Sequence, residues 1–244
     1  MRGREGLVTI IRMMARPFFR GPLNGLWAGA VVGAVCVLAI VTLDIRISRS
    51  SPKLTATVTS SEAAQSFVEA WRKKNLGTWF VDSSYVRTLS DGRTISGSIR
   101  EVQRPPDHIR TALGSTTADL KGIAYLCAAA LDPSSPQLCR ESGRATDFQG
   151  RLDREMVAVT KLVTGDGRTY DVAEDPGNCY SLFLRPGLGE GQWGERAEFC
   201  FDQRSGAMTS SEIVRNGGTD NTFATSVSGD PSDRDFELPS PSRN

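Results

Sequence analysis

The side chains able to do chemistry are few in this 244-residue chain. They are one histidine, His108, a Gly189-Glu-Gly191-Gln-Trp-Gly194 run, acidic neighbours at Glu174-Asp175 and at Asp233 with Asp235, and the cysteines. A single imidazole excludes His-rich metal sites and the HExxH protease helix, which need at least two. His108 follows Pro-Pro-Asp with no nucleophile near it in sequence, so an exposed or structural role is expected. The glycine run fits G-x-G-x-x-G, but dinucleotide binding requires that motif to open a helix facing the pyrophosphate. Here ERAEFCFD follows with period two, which predicts a flexible hairpin loop. The carboxylate pairs lie in turn-like or terminal stretches and read as solvated charges. No catalytic residue, metal site or cofactor is assigned, and an envelope hydrolase would need His108 or a carboxylate pair buried in a cleft.

Four cysteines, Cys127, Cys139, Cys179 and Cys200, follow the N-terminal region, and a fifth, Cys36, sits in an apolar run. No C-x2-C pair occurs, which argues against a zinc site or a thioredoxin-like dithiol. An even number suits an oxidising compartment. The local pairing, Cys127 with Cys139 and Cys179 with Cys200, is expected, each bridge stabilising by roughly 3 kcal/mol in the chain-entropy model.

Charge then separates the chain into two parts. The totals are 29 Lys plus Arg against 28 Asp plus Glu, too near neutrality for a nucleic-acid partner. Residues 1–49 hold seven Arg and two acids, which leaves 22 basic and 26 acidic groups (29 minus 7, 28 minus 2) for the rest. Leu26 to Leu43 carries no charge, long enough for most of a bilayer crossing. Arg2, Arg4, Arg12, Arg16 and Arg20 precede it, so the positive-inside rule keeps the N-terminus cytoplasmic and sends the body outside the cell membrane. A cleaved secretory signal competes with this reading, but no A-x-A-like site follows. A lipoprotein signal fails at Cys36, because Val35 and Gly33 are wrong for it and apolar residues continue beyond. The expected organisation is a basic cytoplasmic tail 1–21, a single-pass transmembrane helix 22–44, a linker 45–58, an extracytoplasmic domain 59–239 and a tail 240–244. The strong bias to Arg over Lys, 24 to 5, suits an actinobacterial envelope protein.

Within the body, Thr59-Ser-Ser-Glu62 forms a capping box before a helix carrying Ala63, Ala64, Phe67, Ala70 and Trp71 on one face, ending near Asn75 or Gly77. Thr146-Asp-Phe-Gln149 is a second box, followed by Leu152, Met156, Val159 and Val163 at helical spacing. Strands are predicted at Tyr85 to Leu89 and Thr94 to Val102 around an Asp91-Gly92 turn, and at Leu120 to Ala128. Others are predicted at Tyr170 to Ala173, Cys179 to Arg185, Glu195 to Asp202, Ala207 to Asn216 and Asn221 to Ser228. The class is α+β: a curved antiparallel sheet of roughly eight strands, an unclosed barrel covered by two or more helices. Phe67, Trp71, Met156, Tyr180, Leu182, Leu184, Phe199 and Phe201 fall on apolar faces. A filled core and an apolar ligand cavity use the same residue types, so both readings stand. Under the second, these eight are the ligand contacts.

This order resembles the superfamily of periplasmic lipoprotein carriers and mycobacterial lipid-carrier lipoproteins over about residues 60 to 239. The resemblance rests on Ser90-Asp-Gly-Arg93 leading into Ile95 to Arg100, on Arg104-Pro-Pro-Asp107, on Phe201-Asp-Gln-Arg-Ser-Gly206, on Glu212, and on Asp235-Phe-Glu-Leu-Pro239. It implies an unclosed barrel with helices in its concavity, holding acyl chains or a partner peptide and doing no chemistry. The chain departs from that family in its transmembrane anchor and its two expected disulfides. The expectation is therefore a membrane-tethered, non-enzymatic binding protein for a lipid or lipoprotein-like ligand. The alternative is an interaction or sensor module of a cell-envelope complex with a protein partner.

Overall fold

The computed structural model describes residues 61–128 and 138–239. The expected tail, transmembrane helix, linker and terminal residues lie outside that range, as do Cys36, Thr59 and most of the Pro/Ser loop after Cys127. Among the described residues no helix is long and apolar enough to cross a membrane. Ala56–Asn244 forms one compact unit.

The described residues of the unit form two helices and eleven strands. Helix α1 (Ser61–Leu76) is followed by β1 (Trp79–Leu89), β2 (Thr94–Arg104), β3 (Asp107–Ala112), β4 (Ser115–Leu120), β5 (Ile123–Cys127) and β6 (Cys139–Arg144). Helix α2 (Phe148–Val163) then leads to β7 (Tyr170–Asp175), β8 (Cys179–Leu184), β9 (Arg196–Phe201), β10 (Met208–Arg215) and β11 (Gly218–Ser228). All strands belong to one antiparallel sheet in the order β6-β5-β4-β3-β2-β1-β11-β10-β9-β8-β7. Strands β6 and β7 are its two edges, and the barrel is unclosed. A single 3-10 turn, Asp233–Phe236, follows the last strand.

The expected count of eight strands is too low, and local chemistry explains the deficit. Leu113-Gly114 and Lys121-Gly122 both take left-handed backbone, at φ 50 and 81 and at φ 51 and 80. Consecutive positive φ values make the mirror-image two-residue turns that suit hairpins, normally announced by Asn-Gly or Asp-Gly. With Leu and Lys in first place the signal is missing, so the stretch expected as one strand, Leu120 to Ala128, is the end of β4, a turn and β5. At the expected Asp91-Gly92 turn only Gly92 is left-handed, at φ 84, and Leu89 N–H donates to Arg93 O across a longer loop. Helix α2 is capped by Asp147, whose carboxylate accepts Gly150 N–H at 2.7 Å, one residue later than the Thr146 box implied.

Register fixes the faces, because alternate residues of a strand share a side. One side, here called inner, carries both helices. Ala63, Ala64, Phe67, Ala70 and Trp71 of α1 meet Leu152, Met156, Val159 and Val163 of α2 and the inner residues of β7 to β9 in a single core. Trp71 Nε1 donates to Glu155 Oε1 at 2.7 Å and ties the helices together. The end of α1 is fixed to the sheet by Trp79 Nε1 on Lys74 O and by Gln103 Nε2 on the carbonyls of Lys74, Asn75 and Gly77. These donors satisfy carbonyls that a helix C-terminus otherwise leaves bare.

On the outer side, Val102, Ile109, Ala118 and Cys127 are buried. The terminal segment 231–239 lies across this side. Arg104 anchors it by pairing with Asp233 at 2.7 Å, donating to Pro231 O at 2.6 Å and stacking on Phe236 at 4.8 Å. Arg100 pairs with Asp235 at 3.1 Å. Asp233 and Asp235, expected as merely solvated charges, are thus the anion half of a strap. Both expected disulfides are present, each between residues opposite one another in register: Cys127 with Cys139 across β5 and β6, and Cys179 with Cys200 across β8 and β9.

Candidate functional site

All eight residues singled out as apolar contacts come together in the core under the helices. Seven are buried, and Leu184 packs against them half-exposed. Phe67, fully covered, is ringed by Trp71, Tyr180, Trp193, Phe199 and Phe201 with ring centroids 5.5 to 6.4 Å away. Tilted and edge-on arrangements of this kind add to simple area burial.

Trp193 belongs to the same cluster, and sequence reasoning missed it. It sits in the glycine run, which is a hairpin loop between β8 and β9 as expected but is anchored where flexibility was expected. Tyr170 Oη accepts the Trp193 backbone N–H at 2.8 Å and donates to Gly194 O at 2.9 Å. A Cβ on Gly191 would lie 2.3 Å from that hydroxyl, so glycine is required there for close approach. Burial pushes the Tyr170 phenol above its ordinary pKa, keeping the proton it donates. A tryptophan inside a glycine-rich loop was the available signal.

Open space lies beside this core. A cleft of about 290 Å³ runs along the inner face between the end of α1 and the central strands. Its apolar lining is Trp79, Val81, Ile99, Met208 and Ile213, of which Met208 and Ile213 also pack on the aromatic cluster. Ser83, Ser210, Ser211 and Thr222 contribute hydroxyls. One end holds Lys74, Glu101 and Arg110, and the other Tyr85 and Asp220. Tyr85 Oη donates to Asp220 Oδ1 at 2.7 Å, and burial followed by that carboxylate raises the phenol pKa. Glu101 Oε1 meets His108 Nε2 at 2.9 Å. Burial would push the Glu101 pKa up, but the His108 hydrogen bond and the charges of Lys74, His108 and Arg110 outweigh it and hold the carboxyl below its ordinary range.

His108 therefore serves as a partner of Glu101, the structural role expected of it. Glu174 and Asp175 end β7, where Asp175 accepts the Ser181 hydroxyl at 2.6 Å. Cys179, Glu198 and Cys200 gather within 4.8 Å, but both sulfurs are spent on the disulfide. Burial, then repulsion from Glu212 and Asp175, raises the Glu198 pKa. What the cleft offers is an apolar floor with charged ends, an arrangement for holding a ligand.

No protein-family model matches the chain, and no curated protein matches it. Similar solved structures exist. The MucA/MucB complex of Pseudomonas aeruginosa is 11% identical with a TM-score of 0.40, over 73% of this chain and 61% of that one. A LolA superfamily protein from Nitrosomonas europaea is 9% identical with a TM-score of 0.30, over 72% and 98%. LprF from Mycobacterium bovis is 14% identical with a TM-score of 0.28, over 71% and 96%. The chain spans about six-tenths of the length of the MucB chains it matches. At these identities the likeness is one of fold alone.

Proposed function

We propose that this chain is a non-catalytic binding module, tethered to the cell membrane by residues 22–44 with its domain outside, that holds an apolar segment of a lipid or lipoprotein in the inner cleft. The observation that supports the reading is the cleft itself: an open space floored by Val81, Ile99, Met208 and Ile213 beside a sealed aromatic core. At about 290 Å³ it sits at the lower bound of ordinary small-molecule pockets, roughly 300 to 1,000 Å³. That size favours one chain over a multiply acylated lipid. Under this proposal Phe67, Trp71, Met156, Tyr180, Leu182, Leu184, Phe199 and Phe201 act as the packed wall behind the ligand, which touches that wall through Met208 and Ile213.

A second reading, a module for a protein partner in an envelope complex, is favoured by Phe223, half-exposed on the outer side of β11 near the middle of the sheet. One experiment separates the two. The unit Ala56–Asn244 holds every described strand, both helices and both disulfides. Recovered from a lipid-containing host and weighed by native mass spectrometry, it should carry a non-covalent mass that organic solvent releases. Ile99→Arg should lose that mass without losing cooperative unfolding. A wild-type unit that carries no such mass and does not bind a fluorescent fatty acid would overturn the lipid reading and leave the protein-partner one.

A further inference from the structure

The ends of the cleft are not electrostatically alike. At one end Asp220 is fully engaged, taking the Tyr85 hydroxyl at 2.7 Å with Arg215 and Arg87 at 3.6 and 3.7 Å. At the other end the two cations, Lys74 and Arg110, line the cleft itself and share one carboxylate, whereas Arg87 and Arg215 stand outside the lining. Arg110 reaches Glu101 only through Nε at 4.0 Å, and the same carboxylate already meets His108 at 2.9 Å. Lys74 lies with Nζ 5.1 Å from the centre of the Trp71 ring, and among the described residues no carboxylate comes within 4.0 Å of it. Elsewhere, Arg104, Arg151 and Arg168 hold carboxylates at 2.7, 2.6 and 2.8 Å. Pairs as loose as that of Arg110 occur elsewhere too, as at Arg72 and Arg87 at 3.6 and 3.7 Å, but neither of those arginines lines the apolar cleft.

One feature that would repel an anion there has been silenced. The C-terminus of α1 points its partial negative charge toward this end, as any helix does. Two of its carbonyls, Lys74 O and Asn75 O, and that of Gly77 just beyond it are covered by Gln103, and Trp79 adds a further bond to Lys74 O. Lys74, with its ammonium over the Trp71 ring, and Arg110 then line the space beside the apolar floor.

We infer that the ligand of the cleft is an anionic amphiphile, its carboxylate or phosphate head held between Lys74 and Arg110 and its chain laid along Val81, Ile99, Met208 and Ile213. This rests on the binding reading above and adds the charge of the ligand to it. The guanidinium fork suits either oxyanion, and the ammonium adds a point charge beside it.

The test uses the full chain in membrane vesicles and three diazirine-bearing C16 probes: the fatty acid, the alkyl phosphate and the uncharged alcohol. Labelled peptides of β1, β2 and β10 are quantified against probe concentration. At least one anionic probe should half-saturate these strands at a concentration about tenfold or more below the alcohol, and the better of the two identifies the head group. Raising ionic strength should shrink that ratio, since the cations are partly exposed. Arg110→Gln and Lys74→Gln should each bring the anionic probe's half-saturation toward that of the alcohol measured on the same variant. Equal half-saturation by all three probes in the wild type would overturn the anionic inference and leave the apolar cleft standing. No labelling of these strands by any probe would overturn both.

Discussion

From β7 to β9 the inner face of the sheet presents Tyr170, Val172, Tyr180, Leu182, Ala197, Phe199 and Phe201, every one of them buried. From β2 to β6 the same face presents Glu101, His108, Arg110, Thr117, Leu126 and Arg140, none of them buried, and of the described residues there only Gln103, under the end of α1, is covered. In that second region the apolar residues have moved to the other side: Val102, Ile109 and Ala118 face out, where the strap 231–239 crosses. One continuous sheet thus buries apolar residues on opposite faces in its two regions. Strand chemistry does not decide which face is wet; the element that arrives to cover it does. Helix α2 leaves β6 and packs beside α1 against β7, so the inner face is sealed there and left open farther along. The cleft occupies the boundary between the two regimes, where apolar floor and charged wall meet.

If the helix-covered half is held by close aromatic packing, its largest sensitivity lies at Phe67. Phe67→Ala removes the centre of the ring cluster and should cost about 3 to 5 kcal/mol in denaturant unfolding. A loss below about 1 kcal/mol would show that the cluster is loose and that the contrast with the open half is false. Next comes the loop latch. Tyr170→Phe strands the Trp193 N–H and the Gly194 carbonyl in an apolar setting and should cost roughly 1 to 3 kcal/mol. It should also speed amide exchange at residues 191–194 more than anywhere in β2 to β6.

The smallest effect belongs to the open half, at Glu101. Its folded pKa lies below the unfolded value, so the carboxylate's contribution is present above the unfolded pKa and is lost as pH falls through the folded one. Wild type should therefore exceed Glu101→Gln in stability by about 1 kcal/mol near neutrality, the scale of one ordinary net hydrogen bond, since the pair is partly exposed. The gap should close in acid. A gap that widened on acidification would reverse the assigned sign.

The helix-covered half was the more legible in the sequence, for a physical reason. Its apolar residues recur at helical spacing in α1 and α2 and alternate through Tyr180, Leu182 and Leu184 and through Ala197, Phe199 and Phe201, so period alone placed them together. The disulfide pairs were legible for a related reason: Cys179 and Cys200 lie in two alternating strands that read as a hairpin. In the open half, β3, β4 and β6 are short and polar on the exposed side, and the β3–β4 and β4–β5 turns lack the usual Asn or Asp, so neither period nor turn chemistry announced them. Alternation also says that two faces differ without saying which is inward. The switch of faces, the strap formed by Asp233 and Asp235, and the cations at the mouth of the cleft therefore required coordinates. Trp193 lay between these cases, since a large aromatic in a glycine-rich loop announces burial but not a partner.

The strand order has a consequence for how the domain is made. Strands β1 to β6 and β7 to β11 are two meanders in which every strand pairs with its sequence neighbour. Only the β1 and β11 ladder, from Phe80 with Ser228 to Leu89 with Gly218, joins one meander to the other. Local pairings form quickly, whereas a pairing across nearly the whole domain waits on the closure of a long loop. Val81, Ile99, Glu101 and Arg110 come from the first meander, and Met208, Ser211, Ile213 and Thr222 from the second. The cleft is therefore absent from either half alone, and the cost of closing a long loop places its completion after the local pairings of each meander.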